Sequence, residues 1–135
     1  MTRFLLFGLL AIALIGIIGR RARGWENQDL QATISAAQSK PILAVFGTSW
    51  CHYCKQLERE TLSDSEVSKA LEAWEVVKVD AESPKGRTMA QKYGVRGYPT
   101  MVFLRPNGEV IQSESGFVAK EVFLPVLAKI YAKSN

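Results

Sequence analysis

The chain opens with an unbroken apolar run, FLLFGLLAIALIGIIG from Phe4 to Gly19, and no later stretch is as dense. Wound as a helix at about 1.5 Å per residue, the run reaches roughly 24 Å, a little short of a bilayer core of about 30 Å. It is apolar all round, which does not suit a helix half-buried in a soluble core. Arg20, Arg21 and Arg23 follow it, where a secretory cleavage region would be small and neutral. The pattern predicts an N-terminal hydrophobic helix acting as a membrane anchor through residues 4–19. Residues 1–24 form the anchor and its arginine-rich flank, and residues 25–135 a folded domain. A cleaved signal peptide, using the Ala22-x-Gly24 spacing, is the alternative. Three arginines after the run against one before it lean, by themselves, toward a cytoplasmic domain.

Past Trp25 the periodicity changes. Leu30, Ile34 and Ala37 recur at three-to-four spacing and predict an amphipathic helix over Glu26–Lys40. Pro41 precedes Ile42–Phe46, a continuous apolar stretch of strand length, suited to a sheet covered on both faces. CKQLERETL has helix formers and no breaker, and SDSEVSKALEAW reads as a second helical segment capped by Ser63 or Ser65. The valine-rich Trp74–Glu82 predicts a strand, and Ser83–Gly94 a turn and short helix closed by Gly94. Thr100–Leu104 and Glu109–Ser113 flank Pro106-Asn107-Gly108 and predict an antiparallel hairpin. Val122, Val126, Leu127, Ile130 and Tyr131 mark one side of a last helix, which Pro125 should kink or start. The order α-β-α-β-α-β-β-α implies an α/β domain with a mixed central sheet and helices on both faces.

With 135 residues, 47% of them hydrophobic, the chain holds one ordinary domain besides the anchor. The net charge of +4 owes much to the arginines around the apolar run. No basic stripe with interleaved aromatics exists, which argues against a nucleic-acid partner. Nothing resembles a dimerisation segment, so a monomer is expected.

The only cysteines, Cys51 and Cys54, and the only histidine, His52, sit together in SWCHYCK. They make three ligands where structural zinc takes four, so no metal is expected unless two chains share one. Haem attachment needs histidine directly after the second cysteine, where Lys55 stands. A bridge closing so small a loop adds little stability. A redox couple needing no cofactor is the reading that fits best. Cys51 falls at a helix N-terminus beside His52, with the Cys54 S–H within reach, and all three features favour its thiolate. Cys51 would attack a substrate disulfide, and Cys54, lying deeper, would then resolve the mixed disulfide. A second motif, VRGYPT from Val95 to Thr100, places Pro99 at a strand start. A cis Tyr98–Pro99 bond would free the Tyr98 backbone to pair with an extended substrate, although residue frequencies alone favour trans.

SWCHYCK, VVKVDAE, VRGYPTMVFLRPNGEV and Gly116 before the last helix resemble, in order and spacing, the thioredoxin family from about Lys40 to Lys133. The resemblance implies the thioredoxin fold, thiol:disulfide oxidoreductase activity on protein thiols and disulfides, and a cis Pro99 facing Cys51 and Cys54. It also implies an aromatic substrate surface formed by Trp50, Tyr53 and Tyr98 with Pro99. SWCHYCKQLERETLSDSEVSKAL is most similar to the C-terminal domain of DsbD-type interchange proteins and to membrane-tethered thioredoxin-like proteins. That similarity implies an extracytoplasmic, periplasmic reductant fed by a membrane or thioredoxin-like electron donor. The chain departs from the family at Val45, where many members carry a buried aspartate. Lys78 fits the family's partner lysine and, with His52, would tune the thiols; Glu82 or water would replace its acid. His52 between the cysteines is also similar to oxidising relatives, so an oxidase or isomerase is one alternative. A peptide-binding or chaperone-like module on the same fold is another, and an assembly or delivery subunit carrying a metal between chains is a third.

Overall fold

The computed structural model describes residues 28–37 and 39–134. The apolar run and its arginine flank lie outside the described residues, and among those described no helix is long and apolar enough to cross a membrane.

Helix α1 (Leu30–Ala36) leads into β1 (Ile42–Gly47), and α2 (His52–Leu57) continues through a π-helical turn, Glu58–Leu62. Helix α3 (Ser65–Ala70) and a 3-10 turn precede β2 (Glu75–Asp80) and α4 (Pro84–Lys92). The hairpin β3 (Thr100–Leu104) and β4 (Val110–Ser115) is followed by α5 (Lys120–Lys133). The sheet order is β2-β1-β3-β4, with β1 and β2 parallel and the other pairs antiparallel. This is the mixed sheet of the thioredoxin fold. The apolar β1 lies in the middle and is buried along its whole length, as a strand with both faces covered requires.

Alternation along the strands divides the core. Leu43, Val45, Met101 and Phe103 pack under α2, α3 and α5 with Leu57, Trp74, Phe123 and Leu127. Ile42, Ala44, Phe46, Val77, Val79, Val102 and Leu104 pack on the other face against Leu30, Met89 and Ala90 of α1 and α4.

Several sequence expectations need correction. Helix α1 stops at Ala36, well before Lys40, because Ala37 is already extended and Pro41 disfavours helix in the residue before it. Asp64, rather than Ser63 or Ser65, caps α3, its carboxylate accepting from the N–H groups of Glu66 and Val67. The second hairpin strand runs Val110–Ser115 rather than Glu109–Ser113, displaced by an irregularity in register at Phe103–Leu104. Pro125 sits inside α5 and does not start it. The buried side of α5 is Phe123, Leu127 and Ile130, while Val122 is 57% exposed and Tyr131 lies at the rim. Contact with Phe103 places Phe123 inward and so rotates the helix away from the predicted stripe.

Candidate active site

Strand β1 ends at Gly47 and delivers the chain, through the buried Thr48 and the exposed Ser49 and Trp50, to Cys51. Cys51 is the N-cap of α2. Its sulfur is bonded to that of Cys54, with the Cα atoms 5.2 Å apart. The Cys54 N–H donates to Cys51 Sγ at 3.2 Å, so the first turn of the helix points a backbone donor at this sulfur. Cys54 is fully enclosed and Cys51 nearly so.

Around this pair lies an aromatic rim. Trp50 and Tyr53 are 64% and 58% exposed, unusual for large apolar side chains in a small domain. The His52 ring is solvent-exposed and meets Tyr53 edge-on at 5.5 Å. Trp50 Nε1 donates to Glu82 Oε1 at 2.7 Å, and its ring meets Tyr98 edge-on at 6.4 Å. The second motif thereby comes up against the first. Pairing of Phe46 with Thr100 sets the start of β3 beside the end of β1, and Pro99 precedes Thr100 directly. The Tyr98–Pro99 peptide bond is cis. Pro99 is buried, and its carbonyl accepts from the Gly116 N–H at 2.8 Å. Thr100 Oγ1 donates to the Gly97 carbonyl at 2.7 Å, which holds the bend ahead of Pro99.

Under the helix, Val45 faces apolar neighbours, and its register partner on β2 is Lys78. Lys78 Nζ meets Glu58 Oε1 at 2.5 Å. Glu58 Oε2 is buried and has no hydrogen-bond partner. Glu82, the acid expected beside Lys78, instead holds Trp50, because its place after the β2 strand end sets it beside the loop and not under the helix. Glu58 was missed by sequence reasoning. Its signal was its position four residues after Cys54, which puts both on one side of a helix. The structure thus gathers Trp50, Cys51, His52, Tyr53, Cys54, Tyr98 and Pro99 at one end of the sheet, with Lys78 and Glu58 beneath. A sulfur pair that opens and closes there, beside exposed rings, has the arrangement thiol–disulfide exchange requires.

Residues 28–131 match the family model described as a thioredoxin-like domain. The chain is 32% identical over 100 residues to the thiol:disulfide interchange protein DsbD of Yersinia pestis, covering 71% of this chain and 17% of that protein. It is 30% identical over 93 residues to thiol:disulfide interchange protein DsbD 1 of Pseudomonas aeruginosa, covering 63% of this chain and 16% of that one. The match thus spans about a sixth of the length of these relatives. Among solved structures, a thioredoxin from Thermus thermophilus superposes with a TM-score of 0.72 at 28% identity, covering 84% of this chain and 92% of the other. The reduced C-terminal domain of Neisseria meningitidis DsbD gives 0.62 at 27% identity, covering 74% and 92%.

Proposed function

The chain belongs to the thioredoxin-like family and carries a thiol:disulfide exchange pair, and from that premise we propose that it is a membrane-anchored reductant of protein disulfides working outside the cytoplasmic membrane. The observation that carries this reading is the closed Cys51–Cys54 bridge at the first turn of α2, ringed by exposed Trp50 and Tyr53. The similarity to DsbD proteins supports the periplasmic side and the reducing direction, and the apolar run Phe4–Gly19 supports the anchor.

In the reduced protein, Cys51 as thiolate attacks one sulfur of the substrate disulfide. The substrate S–S bond breaks, its electron pair leaves with the other sulfur, and a Cys51–substrate mixed disulfide forms. Cys54 then attacks Cys51 Sγ, expels the second substrate thiolate and restores the bridge described here. Two electrons pass from the protein to the substrate. A membrane or thioredoxin-like dithiol donor must reopen the bridge. Trp50, Tyr53, Tyr98 and Pro99 form the face on which an extended segment of substrate rests, with apolar rings covering the bond under attack. His52, between the cysteines in sequence, and Lys78 on β2 would tune the pair.

The deciding measurement is the reduction potential of the Cys51–Cys54 pair, titrated against graded glutathione ratios with alkylation of the free thiols. A value near that of thioredoxin, about −270 mV, is expected, and one near about −120 mV would make the protein an oxidant. The exposed rings would equally serve a peptide-binding module. Peptide affinity that survives loss of both cysteines, with no turnover by the wild type, would establish that reading instead.

A further inference from the structure

Four arginines fall among the described residues, and the fold engages three of them. Arg59 meets Glu60, Arg87 donates to the Glu82 carbonyl, and Arg105 donates to the Lys133 carbonyl and meets Glu109. Arg96 is exposed, and among the described residues its side chain has neither an ion pair nor a hydrogen bond. It stands two residues ahead of Tyr98, whose ring meets Trp50, so its Cα lies within about 8 Å of the Tyr98 Cα. Gly97 between them puts no side chain in the way, and the space that a Cβ would enter there is open. Glu82 holds Trp50 from the end of β2, whereas Arg96 comes in ahead of β3, on the other side of β1. The aromatic face therefore has an acid at one flank and a free guanidinium at the other. Lys55, exposed one helical turn after Cys51, likewise has no ion-pair partner among the described residues.

We infer that Arg96 is a specificity-determining residue, which seats a carboxylate of the substrate on the β3 side of the Trp50 and Tyr98 rings and so favours disulfides flanked by Asp or Glu. The inference rests on the oxidoreductase reading above and names the substrate class of that same site. The fold makes no use of this charge, and a segment resting on Tyr98 and Pro99 passes beside it. A guanidinium offers two parallel N–H donors that match the two oxygens of a carboxylate, a geometry that a lysine ammonium lacks. A basic residue at the same place in the substrate meets like charge from Arg96 instead, so one side chain both attracts the acidic segment and disfavours the basic one.

The test uses the reduced full-length chain and two synthetic peptides, each with one disulfide, identical except that its flanking residues are Glu in one and Lys in the other. The second-order rate constant for reduction of each peptide is measured, and the Glu-to-Lys ratio is taken within each protein, so that any general loss of activity cancels. The wild type should favour the Glu peptide by about fivefold, the scale of one exposed ion pair gained against a like-charge contact. Raising the salt from about 0.01 M to about 1 M, which cuts the Debye length from roughly 30 Å to roughly 3 Å, should bring the ratio toward unity. Arg96→Gln should do the same at low salt, and Arg96→Glu should invert the preference. Lys129→Gln, on the part of α5 that runs toward the Arg105 end of β3, should keep the wild-type ratio. Equal rates for the two peptides in the wild type overturn the inference and leave the oxidoreductase reading intact. So does a ratio that survives Arg96→Glu, or one that Lys129→Gln lowers as much as Arg96→Gln, which marks net charge alone. Reduction of neither peptide by the wild type would remove the oxidoreductase reading and this inference with it.

Discussion

On the sheet face covered by α1 and α4, the strand residues that point inward are Ile42, Ala44, Phe46, Val77, Val79, Val102 and Leu104, all apolar. On the face covered by α2, α3 and α5, the same strands supply Leu43, Val45, Met101 and Phe103, but β2 also supplies Lys78, and α2 answers with Glu58. The first face seats two short helices on an apolar sheet surface, and their polar contacts, such as Lys85 with Asp29, lie outside that apolar layer. The second carries a charged pair and one unpaired carboxylate oxygen directly beneath the helix that begins at the redox pair. The sheet contributes a charged side chain, Lys78, to the face under the helix that carries the redox pair. A dry, evenly apolar interior maximises stability, whereas a site that transfers protons needs a titratable group near the reacting sulfur. The two faces meet these demands separately.

That contrast is open to attack by substitution. The largest effect is expected from Cys51→Ser, which should abolish reduction of a protein disulfide such as insulin while leaving the fold in place. Retained turnover would show that the chemistry lies elsewhere. Next comes the apolar face. Leu104→Ala removes a fully buried side chain far from the cysteines and should cost about 2–5 kcal/mol in guanidinium unfolding. The rate per folded molecule should hold, and a parallel loss of rate would mean that the faces are coupled. Lys78→Met should do the opposite. Stability should fall by about 1 kcal/mol, since the pair is partly exposed, while turnover of a protein disulfide slows because Lys78 no longer tunes the thiols.

A smaller effect is expected at the rim. Trp50→Phe keeps a ring but removes the donor to Glu82, and should raise KM for a protein substrate by roughly fivefold with kcat little changed, the worth of one hydrogen bond. The smallest concerns a surface pair on the redox face. The Lys120 ammonium, 2.8 Å away, and the capped α3 N–H groups hold the Asp64 carboxyl below its ordinary value of 3.8. A carboxyl lowered by folding adds stability above its unfolded value, and this is lost as pH falls through the lowered one. Lys120→Gln should therefore lessen the loss of stability on acidification below about pH 4, read from melting temperatures in a pH series, and leave the neutral redox rate unaffected.

Much of this architecture was legible in the residue pattern. The unbroken ILAVF stretch marks a strand covered on both faces, and β1 is the buried middle strand. Pro106-Asn107-Gly108 between apolar runs marks the hairpin, and Gly108 adopts the positive φ of 89° that its turn requires. The stripe on α5 was misread, because Val122 and the ring of Tyr131 fit helical spacing without revealing that docking against Phe103 turns Phe123 inward. Asp64 lost to its serine neighbours in the reading because cap preference is similar for all three, and backbone geometry chose among them.

The sequence by itself determined the fold class and the redox pair, since strand and helix periods and a two-residue cysteine spacing are local properties of the chain. Tertiary structure decided which acid serves which base. Of the two glutamates near the motifs, the sequence reading offered Glu82 to Lys78 and passed over Glu58. Docking α2 on the sheet brings Glu58 to Lys78, and the loop after β2 brings Glu82 to Trp50. Hydrogen bonds of this kind form over a few ångströms between segments twenty or more residues apart, so they depend on how elements seat against one another, which no local pattern encodes.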